Sequence, residues 1–534
     1  MQIVIPMAGR GGRFQRAGYD TLKPLIAVEG RPIIEHVVDL FPGEHNFLFI
    51  CAADQLAATP LRPILERIAP AGRIVGIPAH KLGPVHTALA AAAHIADDEP
   101  VILNYCDFSV GWDYADFLRE LSARDPAGAL TAYRGFHPHS LGPNLYAYLR
   151  EQDHYLLEIK EKDAFTDDRL NEYASSGTYY FRSGALLKRY FRQAVSRDMQ
   201  TNGEFYASTP YNLLVKDNLP VYIYELPHFL QWGTPEDLEE YLAWSDYFAH
   251  YARWRPTRPP APGAVLVPMA GAGARFAQAG FTQPKPLVPV AGRPLVERAL
   301  ETVPPAGQWV AVCQADPLRQ PDLLPALSSN GRNVQVISVD GLTAGQASTC
   351  LLARDCLDPD APLFIAPCDT VFVYDEARWA ALSADPAVDC AVWTFRNHAP
   401  ANRNPHQYGW VHATPSGDIT GVAVKAFLAP SGQRYGPRDP GITGAFWFRQ
   451  ARFFFEAADA LIAQDRRVNG EFYVDSAIGM LVERGRRARL FDVQHYICLG
   501  TPDEVRTYEY WADYFKSTPR HPFSRNGHRS PGHD

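Results

Sequence analysis

The chain has 534 residues, which at roughly 150 residues per domain predicts two to four domains. Its 46% hydrophobic, 12% aromatic and 21% charged residues describe a folded globular protein and exclude a disordered, collagenous or coiled-coil one. Lys and Arg number 51 against 59 Asp and Glu, and the resulting charge of −8 provides no general basic field for nucleic acid or an anionic membrane.

The N-terminus lacks a basic stretch and a long apolar core, and no run of about 18 apolar residues occurs, so neither export nor membrane spanning is expected. Residues 2–7 read as a buried strand, followed by the turn Ala8-Gly9-Arg10-Gly11-Gly12-Arg13 and then Lys23-Pro24-Leu25. Helix-period apolar residues over 32–40, a strand over 46–52, a helix over 86–95 and a strand over 100–105 follow, the last running into Cys106-Asp107. This alternation predicts an α/β fold, a mostly parallel sheet with helices on both sides. Ligands of such sheets lie beyond the carboxyl ends of the strands, where the glycine turn and Asp107 fall.

The series then begins again. Ile5-Pro6-Met7-Ala8-Gly9-Arg10-Gly11-Gly12-Arg13-Phe14 aligns with Val267-Pro268-Met269-Ala270-Gly271-Ala272-Gly273-Ala274-Arg275-Phe276, 262 residues further on. At that offset and without a gap, Lys23-Pro24-Leu25 meets Lys285-Pro286-Leu287, Cys51 meets Cys313, and Cys106-Asp107 meets Cys368-Asp369. Strands are predicted over 264–269, 309–313 and 362–366 in the matching places. After small slips of register, Asn202-Gly203-Glu204-Phe205-Tyr206 returns as Asn469-Gly470-Glu471-Phe472-Tyr473, and Gly233-Thr234-Pro235 as Gly500-Thr501-Pro502. So long a period is a duplicated domain, not a solenoid repeat. The expected organisation is one domain over 1–253, a stiff proline-rich spacer over 254–263, a second domain over 264–516 and a disordered tail over 517–534. The aromatic segments 244–248 and 511–515 are expected in closing helices, each packed on its own domain. Eight cysteines with no Cys-x-x-Cys spacing suit a reducing cytoplasm and carry no zinc signature.

A glycine-rich turn after a strand lets main-chain N–H groups converge on phosphate. Gly9, Gly11 and Gly12, with Gly271, Gly273 and Ala274 in the second copy, are the candidates, beside Ala8 and Ala270. Arg13 and Arg275 directly after the turn and Lys23 and Lys285 ten residues later add cations suited to a triphosphate. A P-loop needs Gly-Lys-Ser/Thr after four residues, and a dinucleotide fingerprint needs a small residue where Phe14 and Phe276 stand, so neither applies.

Gly-x-Gly-x-Arg after an N-terminal strand, Lys-Pro-Leu, and a strand ending in Asp resemble the sugar-1-phosphate nucleotidyltransferases, or NDP-sugar pyrophosphorylases. Their fold is Rossmann-like and of the glycosyltransferase-A type, and each half of the chain shows the resemblance. Pro-Met-Ala-Gly, Asn-Gly-Glu-Phe-Tyr and Gly-Thr-Pro-Glu-Asp-Leu look like the branch associated with capsule and surface polysaccharides. The resemblance implies Mg²⁺-dependent attack of a phosphate monoester on the α-phosphorus of an NTP, releasing pyrophosphate. It places Arg13 and Arg275 on the β- and γ-phosphates and Lys23 and Lys285 at the α-phosphate. Asp107 and Asp369 become Mg²⁺ ligands, with Glu204 and Glu471 as second ligands.

By the same resemblance Glu161-Lys162 and Gly177 contact the acceptor in the first copy. The nearest match in the second is Val424-Lys425 with Gly444, so its glutamate is missing and its acceptor pocket is expected to differ. Gly83 and Gly345 mark base-proximal segments that also diverge, with a partly buried His86 in the first. The expected partners are an NTP and a phosphorylated small molecule, with a homo-oligomer compatible. Three alternatives stay open: a cytidylyltransferase for a non-sugar phosphate (alditol, glycerol or amino-acid), one half acting as a nucleotide-binding regulator, and a glycosyltransferase. Retention of Arg275, Lys285 and Asp369 weighs against a decayed half, and the lack of Asp-x-Asp at Asp107 and Asp369 against a glycosyltransferase.

Overall fold

The apolar run Gln2–Met7 forms a strand paired in parallel with Asn46–Ala52 on one side and Val101–Asn104 on the other. The computed structural model describes residues 1–254, 261–318 and 320–526. Nine strands make up the sheet of the first half, in the order Arg73–Ile77, Asn46–Ala52, Gln2–Met7, Val101–Asn104, Tyr173–Phe181, Gly128–Tyr133, Val221–Glu225, Tyr155–Glu161, Ala147–Gln152. The second half repeats the plan around Ala261–Met269, which lies parallel to Ala306–Gln314 and Leu363–Ile365.

The fold class is α/β, as expected, but the sheet is mixed where a mostly parallel one was predicted. Tyr173–Phe181 runs antiparallel to both Val101–Asn104 and Gly128–Tyr133, and the hairpin Ala147–Gln152 with Tyr155–Glu161 is antiparallel as well. Gly441–Phe448 plays the same part in the second half. A strand buried on both faces is a continuous apolar run whichever way it points, so its direction is invisible to hydrophobic patterning.

That two-sided burial is explicit along Ala261–Met269. Val265 and Val267 join one core cluster with Trp309, Trp379 and Trp393, while Ala264 and Leu266 join another with Phe446, Phe448 and Phe454. Alternate side chains leave a strand on opposite faces, so each successive residue is buried under a different helical layer. At about 1.5–3 kcal/mol per large apolar side chain, these layers dominate the stability of each half.

The chain divides into two compact units, Met1–Ser245 and Asp246–Asp534. The division falls inside the helix Pro235–Arg253, where the first domain was expected to run to 253. Within the second unit Phe248 packs on Tyr508 at 5.4 Å, Phe515 at 5.6 Å and Phe523 at 4.8 Å. The expectation that this helix packs only on its own domain is therefore corrected: its aromatic end is apolar on a side that the helix Pro502–Ser517 covers. The spacer is shorter than 254–263, because pairing of Ala261 with Ala306 already starts the sheet. Its residues 255–260 lie outside the described residues. The tail expected from 517 carries the helix Pro522–Asn526, with His521 buried 4.4 Å from Phe515. Aromatic residues scattered in a polar segment supply the anchor that composition alone does not register.

All eight cysteines are free of disulfides. Burial pushes the thiols of Cys51, Cys106 and Cys368 up to about 12, which keeps them protonated and out of nucleophilic chemistry. Among the described residues no helix is long and apolar enough to cross a membrane.

Candidate nucleotide and acceptor site

After the first strand of each unit, the turn reverses through a glycine in the left-handed region, Gly11 at φ 62° and Gly273 at φ 61°. A Cβ at Gly11 would stand 3.5 Å from Lys23 Cβ, and one at Gly273 would stand 3.3 Å from Lys285 Cβ, so the turn rests on the lysine that follows it in sequence. A Cβ on Gly9 or Gly271 would meet open space. Ala8 and Ala270 are buried beneath the turn. The short helices Gly12–Arg16 and Ala274–Gln278 then bury Phe14 and Phe276 as anchors and leave Arg13 and Arg275 exposed.

Both lysines reach the aspartate at the end of the neighbouring parallel strand. Lys23 Nζ donates to Asp107 Oδ2 at 2.5 Å and to the Gly233 carbonyl at 3.4 Å, and Lys285 makes the same ion pair with Asp369. Burial is the largest single influence and pulls the Lys285 ammonium down, but the charge of Asp369 and its hydrogen bond, together with nearby Cys368 and Cys498, raise the group above its ordinary value. The Gly-Thr-Pro motif, which carried no functional assignment in the sequence, seats these aspartates. Trp232 N donates to the Asp107 carbonyl at 3.0 Å and Leu499 N to that of Asp369 at 2.8 Å. A Cβ on Gly233 or Gly500 would crowd the Asp107 or Asp369 carboxylate at 3.2 Å. The following threonine caps a helix: Thr234 Oγ1 accepts from Asp237 N, and Thr501 Oγ1 from Glu504 N.

Gly83 and Gly345 are placed by a second close approach. At φ 88° and 121° they open short helices, and a Cβ on either would lie 2.7 Å from the Phe205 carbonyl oxygen or 2.6 Å from that of Phe472. Phe205 N donates to the Leu82 carbonyl at 2.9 Å and its own carbonyl accepts from Val85 N; Phe472 is held identically between Ala344 and Ala347. The Asn-Gly-Glu-Phe-Tyr segment is thus laced to the loop at Gly83 or Gly345 in both units. His86 sets its ring 5.0 Å from Phe205, partly buried, as its sequence context suggested. His80, which the sequence did not single out, accepts from Leu82 N at 3.1 Å and meets Thr87 Oγ1 at 3.2 Å.

The two glutamates expected as second metal ligands each meet the tyrosine two residues further on. Glu204 accepts the hydroxyl of Tyr206, whose oxygen also accepts from Lys162 Nζ at 2.5 Å. Glu471 is exposed and bonded to Tyr473. A tyrosine two residues after the glutamate is near enough to take its carboxylate, a contact that the motif spells out but composition does not value. Among the described residues no three His, Cys, Asp or Glu side chains converge as a metal cage. One carboxylate beside a lysine suits Mg²⁺, a hard cation that needs few protein ligands.

Beyond Tyr206 lie the residues expected to meet the acceptor in the first unit. Glu161 ends the strand Tyr155–Glu161 and accepts from Ser208 Oγ at 2.5 Å, while Lys162 takes a left-handed φ of 59° and lays its ammonium 4.5 Å over the Tyr206 ring. Burial pushes the Glu161 carboxyl up to about 7, with Ser208 and Lys162 pulling against it. Gly177, at φ 108°, lets the neighbouring strand pass Phe108 and Tyr105, whose rings a Cβ would meet at 2.9 and 3.0 Å. Tyr105 in turn accepts from Ala207 N at 3.1 Å, which ties it to the residue following the Asn-Gly-Glu-Phe-Tyr segment. In the second unit Lys425 has φ 53° and lies 5.8 Å over Tyr473, and Gly444, at φ 87°, faces Pro367 at an ordinary 3.6 Å.

Residues 3–163 and 265–436 each match the MobA-like NTP transferase domain. Among solved structures, the nucleoside-diphosphate-sugar pyrophosphorylase from Vibrio cholerae RC9 is similar at 20% identity over 45% of this chain and 99% of its own, with a TM-score of 0.38. The inositol-1-phosphate CTP transferase from T. maritima is similar at 16% identity over 48% of this chain and 96% of its own, with a TM-score of 0.36.

Proposed function

The chain belongs to the MobA-like NTP transferase domain family through both of its halves, and from that premise we propose that each half transfers a nucleotidyl group from an NTP to a phosphorylated polyol, a sugar 1-phosphate or a similar acceptor. The observation that carries this reading is the twice-built set of left-handed glycine, lysine and aspartate: Gly11, Lys23 and Asp107, and Gly273, Lys285 and Asp369. An oxygen of the acceptor phosphate forms a bond to the α-phosphorus, the bond from that phosphorus to the bridging oxygen of the β-phosphate breaks, and pyrophosphate leaves with its electron pair. The attacking oxygen is already ionised near neutral pH, so no proton has to be removed.

The protein's work is therefore positioning and charge neutralisation. Amides of the glycine turn with Arg13 or Arg275 hold the β- and γ-phosphates. Lys23 or Lys285 offsets the charge that builds at the α-phosphate. Asp107 and Asp369 would hold Mg²⁺, which supplies a further positive centre for the phosphate oxygens when bound. Lys162 or Lys425 receives the acceptor phosphate, and Glu161 accepts from acceptor hydroxyls. The product is an NDP- or CDP-activated compound of the kind that surface-glycan synthesis consumes.

Purified protein incubated with Mg²⁺, one NTP at a time, pyrophosphatase and a phosphometabolite extract tests this reading by mass spectrometry. Two nucleotide-linked products are expected, one lost in Lys23→Ala and the other in Lys285→Ala, each with a rate fall of at least about a hundredfold. Full transfer by the double variant would overturn the mechanism.

A further inference from the structure

The second cleft keeps the lysine of the first but has Val424 where Glu161 stands. Register shows the equivalence: Glu161 pairs with Ala147 across its hairpin, and Val424 pairs with Gly409. Lys162 N donates to the Tyr146 carbonyl at 2.9 Å, and Lys425 N to that of Tyr408 at 3.1 Å. Both lysines are left-handed and both lie over the tyrosine of the Asn-Gly-Glu-Phe-Tyr segment.

Two residues past that tyrosine the two units differ again. Ser208 donates to Glu161 in the first, and the aligned position in the second is Asp475. We propose that Asp475 is the acceptor-binding carboxylate of the second unit, entering the same cleft from the opposite wall in place of Glu161. The inference rests on the acceptor site described under the proposed function.

Three paired changes support it. Ala147, Glu161 and Ser208 of the first unit become Gly409, Val424 and Asp475 in the second. A Cβ on Gly409 would overlap Asp475 Oδ2, so the carboxylate occupies the space that the Ala147 methyl fills in the first unit. Each cleft therefore retains one carboxylate and one lysine, with the acid moved from a strand end to the first turn of the helix Val474–Glu483. Electrostatics agree: burial pushes the Asp475 carboxyl up to about 6 with Lys425 opposing, and burial lowers Lys425 with Asp475 opposing. An acid placed only to favour a helix N-terminus does not require a glycine on the facing strand.

The test uses the full chain carrying Lys23→Ala, so that only the second unit turns over, and a panel of hexose 1-phosphates, inositol 1-phosphate and glycerol phosphate as acceptors. Asp475→Ser and the isosteric Asp475→Asn are expected to lower acceptor kcat/KM by about ten- to a hundredfold with the NTP KM within twofold, as for loss of a hydrogen bond to a charged group. Returning the acid to its other wall, with Val424→Glu and Gly409→Ala added to Asp475→Ser, is expected to recover about tenfold. An acceptor kcat/KM changed less than twofold by both single variants would overturn the proposal.

If no probe turns over in the second unit, the reciprocal graft decides in a chain carrying Lys285→Ala. Ser208→Asp with Ala147→Gly must then rescue Glu161→Val, and absence of rescue overturns the relocation. Should Glu161→Val itself leave acceptor kinetics unchanged, the acceptor-site reading fails first, and absence of transfer in both units removes it together with the relocation.

Discussion

Glu161 carries the clearest pH signature in the first unit. Its carboxyl is raised from an ordinary 4.5 to about 7, chiefly by burial, so the folded chain favours the protonated form. A group raised on folding contributes stability that is complete below the unfolded value and is lost as pH climbs through the folded one. Unfolding free energy is expected to fall between pH 4.5 and 7 by up to about 1.4 kcal/mol per pH unit from this residue, and Glu161→Gln should flatten that slope in urea titrations. An unchanged slope in the variant would mean that the carboxyl is hydrated in solution. At this scale Arg13, Lys23 and Asp107 are readable because they recur with Arg275, Lys285 and Asp369 at one offset. Tyr105, Ser208 and Asp475 are not, because each acquires its role only from a partner that another strand brings to it. For Asp475 the signal lies in a mismatch between the repeats, which becomes interpretable once Gly409 is seen to make room.

Among the elements, the turns at Gly83 and Gly345 are tightly constrained. Gly83 combines φ 88° with a Cβ position 2.7 Å from the Phe205 carbonyl oxygen, and Gly345 combines φ 121° with 2.6 Å from that of Phe472. Gly83→Ala and Gly345→Ala are each expected to lower the stability of their own unit by at least about 2 kcal/mol, because a strained backbone and an unyielding main-chain contact add. Gly9→Ala, with nothing within 4 Å of its Cβ, is the control and should change the denaturant midpoint little while impairing nucleotide binding. Comparable midpoints for Gly83→Ala and Gly9→Ala would show that the loop yields. The strands over 2–7 and 46–52 coincide with the elements expected there. The helix over 86–95 forms two residues early, at Pro84–Ala90, since Gly83 and Pro84 supply an N-terminal start that apolar period does not encode.

In the molecule as a whole, each unit has one aspartate paired with one lysine beside its glycine turn, and among the described residues no metal cage. Chelation of divalent cations is therefore expected to abolish transfer while moving the thermal midpoint by less than about 1 °C, since a cation that is not part of the fold adds nothing to folding free energy. A drop of several degrees with EDTA would point to a structural metal and count against Asp107 and Asp369 as ligands of a cation that serves transfer alone. The amino-acid sequence by itself determined the duplication, the α/β class and the cationic glycine turn, because these are written in local spacing and in a repeat that aligns with itself. Tertiary structure alone decided the direction of Tyr173–Phe181, the anchoring of Phe248 on Phe515 and the lodging of Asp475 against Gly409. Those depend on which surfaces meet after the chain has crossed the sheet, and contacts between residues tens or hundreds of positions apart leave no periodic trace in the order of the residues.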